Sequence, residues 1–109
     1  MRIWDISPKK LCRNHLLGEH KELHAIWSVL TKNKKGYSKH PETLRWRNKL
    51  AALYTRHQKL IKEMQGRGYN HYSNLNSKLA TGSKKQNIFI DSHKRQKKIL
   101  ESKKCSCKI

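Results

Sequence analysis

Apolar residues recur at intervals of three and four along two stretches of the chain. This spacing places them on one face of an α-helix, and no stretch alternates as a β-strand would. The pattern therefore predicts an all-α fold. The first face contains Cys12, Leu16, Glu19, Leu23, Ile26 and Leu30, and the second contains Trp46, Leu50, Leu53, His57, Leu60 and Met64.

Start and stop signals set the bounds of the predicted helices. Proline suits the first turn of a helix, serine suits the cap position, and closely spaced glycines end a helix. We expect two long helices plus a shorter third, crossing around an inserted N-terminal segment. They run from Ser7-Pro8 to about Thr31, from Pro41 to the glycines at 66–68, and from Ser92 to about Glu101.

The C-terminal part of the chain has a different composition. Residues 70–91 are rich in Ser, Asn, Gly and Lys, which predicts a long surface segment that orders on binding. A chain of 109 residues is expected to form one domain, 1–109, in which residues 70–109 are a basic, loop-rich arm.

An apolar segment also begins at the start of the chain. Ile3, Trp4 and Ile6 are expected to dock under a helix and hold the terminus in place. The α-amine of Met1 has a reference pKa of about 7.7–8.0, so a larger fraction is neutral at pH 7 than for lysine. A neutral amine is a nucleophile for an aldehyde carbon, which makes Met1 a candidate reagent.

Net charge narrows the class of partner. The chain has 26 Lys and Arg against 7 Asp and Glu, a formal charge of +19, so a polyanion is expected and nucleic acid is the leading one. No apolar run is long enough to span a membrane and no signal-peptide pattern is present, so we expect a soluble intracellular protein without a membrane partner.

Carboxylates interrupt the first helical face. At 100° per residue, His15, Glu19 and Glu22 lie within about 60° of arc, as a polar edge beside the apolar stripe. Buried acids are costly unless they are paired or functional. Glu19 could form a structural ion pair with a cation of the second helix, or it could support a site at the N-terminus. Asn14 and Lys21 lie on another face that suits DNA contacts or simple solvation.

Histidines and cysteines give a weaker metal signal. His20 and His24 are four residues apart on one helix face but lack further ligands in the sequence, and His57 is expected to be a core histidine. Cys105 and Cys107 are the one closely spaced pair of cysteines in the sequence. This cysteine usage is typical of a protein in a reducing compartment. The sequence therefore predicts no metal and no cofactor.

Two stretches resemble a known family. These are the run from His15 to Leu23, preceded by Arg2-Ile3, and the run from Trp46 through Arg56 to Asn70. Over roughly the first 70 residues the chain resembles the phage endonuclease V family of pyrimidine dimer DNA glycosylases, and a shorter branch of that family in particular.

The resemblance implies an activity. In that family the N-terminal α-amine attacks C1′ of the damaged nucleotide, displaces the base and forms an imine, through which the strand is cut by β-elimination. Met1 would supply the amine, because Arg2 is too bulky for ordinary methionine removal, and Glu22 would be the catalytic carboxylate. Glu19 would support the site. The predicted DNA contacts are Arg2, Asn14, His15, Lys21, Lys84 and Lys85.

Some alternatives stay open. A small architectural nucleic-acid-binding protein would need only the charge, and a zinc-dependent module would need the cysteines and histidines. An enzyme is favoured because the glycosylase interpretation accounts for both unusual features, the apolar N-terminus and the acids on a buried stripe. Its expected partner is double-stranded DNA with damaged pyrimidines or abasic sites, bound by a monomer. The aromatic tail of the phage enzyme is missing, so the preferred lesion stays open.

Overall fold

The computed structural model describes residues 2–32, 35, 39–69, 74–103 and 107. Within these ranges the protein is all-α and has no strand, so the predicted fold class is confirmed. Helices α1 and α3 form the main packed pair, and two short 3-10 turns lie at Pro8–Lys10 and Ser77–Leu79. The α-helices are α1 (Arg13–Lys32), α2 (Pro41–Arg45), α3 (Leu50–Gly66) and α4 (His93–Ser102).

The two apolar faces predicted from the sequence meet in the core between α1 and α3. Burying these side chains is the main favourable contribution to folding, at roughly 25 cal/mol per Å² of apolar surface. Glu19 lies within this face and is 2% exposed, so its burial follows from its place in the stripe. The fully buried apolar side chains of the two faces are Leu16, Leu23 and Ile26 of α1 and Leu53, Leu60 and Met64 of α3.

The first long helix begins later than predicted. Pro8 starts only a 3-10 turn, Leu11 is extended, and α1 begins at Arg13. The guanidinium of Arg67 donates to the carbonyl oxygens of Pro8 at 3.1 Å and Leu11 at 2.7 Å. The Pro8 carbonyl also accepts the N–H of Leu11 at 3.1 Å, so the chain makes a 3-10 turn here, and local sequence does not reveal the contact with the distant Arg67.

The second long helix is divided in two, which corrects the prediction of one continuous helix. Asn48 takes a left-handed conformation, with φ of 62°, and its carbonyl accepts the N–H of Ser83 at 2.9 Å. Gly82, also at positive φ, packs so closely against Asn48 that a Cβ atom there would collide with its backbone. The helix therefore breaks where another segment approaches.

That segment also caps α3. The N–H groups in the first turn of a helix have no partner within it. The N–H of Ala51 donates to the carbonyl of Thr81 at 2.8 Å, and the N–H of Ala52 donates to that of Ser83 at 3.1 Å. Part of the predicted surface loop is therefore a structural cap, although residues 81–85 are exposed.

The third predicted helix is confirmed as α4. The side chain of Ser92 accepts the N–H of Arg95 at 3.1 Å, as a helix cap does. Leu100 and Gln96 are each 1% exposed. The basic arm thus contributes a helix to the core.

The N-terminal segment is inserted among the helices, as predicted. Ile3, Trp4 and Ile6 are at most 6% exposed. Side chains, not a neighbouring strand, satisfy the backbone of this segment. Two N–H groups donate: that of Trp4 to Glu19 at 3.0 Å and that of Asp5 to Gln96 at 2.8 Å. Two carbonyls accept: that of Ile3 from Arg45 at 2.9 Å and that of Ile6 from Arg56 at 2.9 Å.

Glu19 takes the structural alternative left open by the sequence. Its carboxylate receives two hydrogen bonds from the Arg56 guanidinium of α3, at 2.7 and 2.9 Å. Burial raises the pKa of Glu19 above its usual range, whereas Arg56 and the Trp4 amide act in the opposite direction. The Arg56 guanidinium therefore offsets part of the cost of burying this carboxylate.

We expect Arg56→Met to lower the free energy of unfolding by about 3 kcal/mol or more, because it leaves the Glu19 carboxylate buried without its cation. Lys62→Met is the matched control, since Lys62 is exposed on the same helix, and it should change stability by less than about 0.5 kcal/mol. Urea denaturation at pH 7 measures both values. Equal stability of the two variants would contradict a structural role for the pair.

Candidate active site at the N-terminal segment

The predicted nucleophile, Met1, lies outside the described residues. Its neighbour Arg2 is partly exposed and stacks over the ring of Trp4 at 5.0 Å. Arg2 also donates to the carboxylate of Asp91 at 2.8 Å. The N-terminal segment therefore reaches the surface between α1 and the start of α4.

Arg2 and Trp4 line a cavity of about 490 Å³. His40, just before α2, and Lys103, just after α4, line it as well. The sequence analysis did not single out His40 or Lys103, because they come together only when both ends of the chain fold onto α2. The lining also contains one acid, Glu42, which pairs with Arg45 at 2.7 Å. Arg2, His40 and Lys103 therefore leave a cavity that suits an anionic ligand such as a nucleotide phosphate.

Glu22 differs from Glu19 in its surroundings. It lies one turn further along the same edge of α1 and is half-buried. Among the described residues, Glu22 forms no ion pair. Such a carboxylate is available to interact with a bound cation or proton, which is what a catalytic acid or base requires.

His15 contacts the predicted site and the C-terminal tail. Its ring meets the edge of Trp4 at 5.9 Å, with an interplanar angle of 88°. Its Nδ1 lies 3.1 Å from Sγ of Cys12 and 3.2 Å from Sγ of Cys107. Burial and the positive charge of Lys103 lower the pKa of His15, which favours a neutral imidazole. Cys105 lies outside the described residues.

The other predicted DNA contacts are exposed and lie outside the cavity that Arg2 lines. Asn14 is exposed and lines a cleft of about 480 Å³ with Arg13 and Arg67. Lys21 is exposed on α1, on the face predicted from the helical spacing. Lys84 and Lys85 are exposed on the segment that caps α3. These four residues stay predictions as DNA contacts.

One cluster was missed by the sequence analysis. His57 is fully buried, as expected of a core histidine, yet its Nε2 lies 3.3 Å from Nε2 of His20 and 3.1 Å from Nε2 of His24. The expectation that His20 and His24 lack a further metal-type ligand is therefore wrong. Only the pairing register of α1 and α3 brings the third imidazole to them, and sequence spacing carries no information on that register.

Comparison with known families decides the class of protein. A sequence model of the family described as pyrimidine dimer DNA glycosylase matches residues 1–77, well over half of the chain. The chain belongs to this family. The predicted resemblance is confirmed, and with it a DNA glycosylase function in DNA repair on DNA that contains pyrimidine dimers.

The extent of the match separates two parts of the glycosylase. It includes the N-terminal segment, α1, α2 and α3, and it ends within the segment that precedes α4.

Searches of curated proteins and of solved structures give no match. Among the described helices, none combines the length and apolar character needed to cross a membrane.

Proposed function

We propose that this glycosylase is also an abasic-site lyase that uses the α-amine of Met1. The amine nitrogen attacks C1′ of the damaged nucleotide, the glycosidic bond breaks, and the base leaves with one of the amine protons. The bond between C1′ and the ring oxygen O4′ then breaks and O4′ takes up the other amine proton, which leaves an imine between C1′ and the nitrogen. The resulting imine acidifies the C2′ proton, and its loss breaks the bond between C3′ and its phosphate oxygen. An α-amine has a lower reference pKa than the side chain of lysine, which suits this nucleophilic step.

The observation that carries the proposal is the anchoring of residues 3–6. Four side chains hold the backbone of this segment, and its apolar residues are buried. A reagent two residues before an anchored segment has its position restricted, and such positioning contributes several kcal/mol to catalysis. The cavity that Arg2 lines is where we propose that the damaged nucleotide binds.

We assign the acid–base role to Glu22. Its carboxylate would stabilise the positive charge that develops on the sugar and imine, and would then accept the C2′ proton. Its half-buried position and its lack of an ion pair among the described residues support this role. Glu19 holds the segment in place and takes no part in the chemistry.

DNA binding would extend over the basic surface. Arg2, His15 and Lys103 would act near the lesion, and exposed Asn14, Lys21, Lys84 and Lys85 would contact the backbone of double-stranded DNA. The net charge of +19 supports electrostatic scanning by a monomer. We infer that abasic sites are cleaved as well as pyrimidine dimers, because both present the same C1′ carbon once the base is gone.

Borohydride trapping tests the amine directly. We expect the native chain to become covalently attached to an oligonucleotide with one abasic site, because borohydride reduces the imine. A chain with one extra glycine before Met1 should trap at least ~100-fold less, since the displaced amine loses its geometry. Mass spectrometry of the intact native chain verifies that Met1 is retained. Equal trapping by the extended chain would exclude the amine of Met1, and tight binding without trapping by either chain would exclude the lyase step.

Glu22→Gln tests the carboxylate. We expect DNA affinity within about threefold of the native value and strand cleavage reduced about 10²–10⁴-fold, the range for loss of an acid–base group. Glu101→Gln, at an exposed acid of α4, is the matched control and should cleave normally. Single-turnover cleavage of an abasic duplex and a binding titration measure the two quantities. Full cleavage by Glu22→Gln would remove Glu22 from the mechanism.

A further inference from the structure

We propose that the imidazoles of His20, His24 and His57 bind a divalent transition metal ion of the zinc class, which joins α1 to α3. The three Nε2 atoms converge on one point. Their separations are 3.2 Å between His20 and His24, 3.3 Å between His20 and His57, and 3.1 Å between His24 and His57. This site lies apart from the proposed glycosylase chemistry and does not depend on it.

The separations match metal coordination. Zinc binds imidazole nitrogen at about 2.0–2.1 Å, so nitrogens at the corners of a tetrahedron around zinc lie about 3.3–3.4 Å apart. The observed 3.1–3.3 Å is within a few tenths of an ångström of that spacing. A point about 2.0–2.1 Å from all three nitrogens lies roughly 1 Å out of their plane. The site therefore needs almost no rearrangement to accept an ion.

Hydrogen bonds among the three rings cannot satisfy this arrangement. A neutral imidazole has one N–H and one lone pair. Nδ1 of His57 lies 2.9 Å from Oε1 of Gln58, an acceptor, so the proton of neutral His57 belongs on Nδ1 and its Nε2 presents a lone pair. At most one of the other two rings can donate to that lone pair with good geometry. A metal ion accepts all three lone pairs at once, and the contact with Gln58 orients the ligand.

The helices supply the three ligands naturally. His20 and His24 are four residues apart and therefore lie on one face of α1, with ring centroids 4.6 Å apart. His57 faces them from α3 and is fully buried, and its neighbour Arg56 makes the ion pair with Glu19. The ion would therefore strengthen the same helix pair at its other edge.

Its place on α1 assigns the ion a structural role. At 100° per residue, His20 and His24 each lie about 160° around the helix from Glu22. The ion is therefore across the buried stripe from the proposed catalytic carboxylate. The described residues supply three ligands, and water would complete the coordination.

A second cluster of possible metal ligands must be distinguished from the three histidines in any metal-binding experiment. Cys12, His15 and Cys107 also bring ligand atoms together, at the N-terminal end of α1. Its sulfur donors distinguish it, because thiolate bound to cobalt gives an intense near-ultraviolet charge-transfer band and imidazole does not. The binding experiment therefore uses the full-length chain with Cys105→Ser and Cys107→Ser, alongside the unaltered chain.

The test is a titration of the metal-depleted chain with Co²⁺ and Zn²⁺. In the tail variant we expect one Co²⁺ per chain, visible-region absorption of a four- or five-coordinate ion, and no thiolate band. Zn²⁺ should raise the Tm, because it binds the folded chain. His24→Ala should weaken Co²⁺ binding at least ~100-fold, more than loss of an outer-shell contact would. His93→Ala, at an exposed histidine of α4, should bind normally.

Ligand exchange keeps the test decisive if alanine disturbs the fold. His24→Cys should restore Co²⁺ binding and add the thiolate band, which a merely packing role for His24 would not produce. Metal-depleted native chain should still form the borohydride-trapped complex below its Tm. Undiminished Co²⁺ binding by His24→Ala, or a Tm unaffected by Zn²⁺, would overturn the proposed site, and loss of trapping in a folded metal-depleted chain would overturn its structural role.

Discussion

The hydrogen-bonded ion pair between Glu19 and Arg56 is the interaction on which the rest of the architecture depends. One carboxylate binds the Trp4 amide and the Arg56 guanidinium, and the same guanidinium binds the Ile6 carbonyl. The pair thus joins α1, α3 and the N-terminal segment at one point. A buried pair adds little net stability over an apolar substitute, but it fixes one geometry, because any displaced arrangement leaves a charge buried alone.

Side chains from all four helices replace the partner strand that an extended segment normally needs. Glu19 is from α1, Arg45 from α2, Arg56 from α3 and Gln96 from α4. Each of these side chains contacts a backbone group of residues 3–6, and Arg45 and Gln96 also bind the Asp5 carboxylate, so the segment is held through its backbone and its side chains together. This arrangement also explains why α4, which lies beyond the family match, belongs to the core.

Local sequence predicted the elements better than their partners. Helical spacing identified both buried faces, Ser92 marked the start of α4, and the glycine after Gln65 marked the end of α3. The break at Asn48 was not predictable, because it arises from the approach of residues 81–83. The helical spacing placed Glu19 on the buried face but did not identify its partner. It also did not predict that His57 of α3 lies next to His20 of α1. Contacts between elements depend on register, which periodicity does not encode.

Arginine and lysine differ in the contacts that they make in this structure. Five acidic residues pair with arginine, and no lysine pairs with an acid among the described residues. The planar guanidinium offers several donors at once and suits buried carboxylates and carbonyls, whereas lysine remains a hydrated point charge. Arginines therefore hold the N-terminal segment in place, and most lysines of the described residues stay exposed to solvent.

Glu22 and Glu101 are the acids outside these pairs in the described part of the chain. Glu101 is exposed on α4, where water solvates its charge, whereas Glu22 is half-buried on α1. A chain so rich in cations could readily have neutralised a half-buried carboxylate with arginine, as it does at Glu19. An unpaired carboxylate costs stability in such a place. That cost is understandable if Glu22 faces positive charge only when a damaged nucleotide reacts.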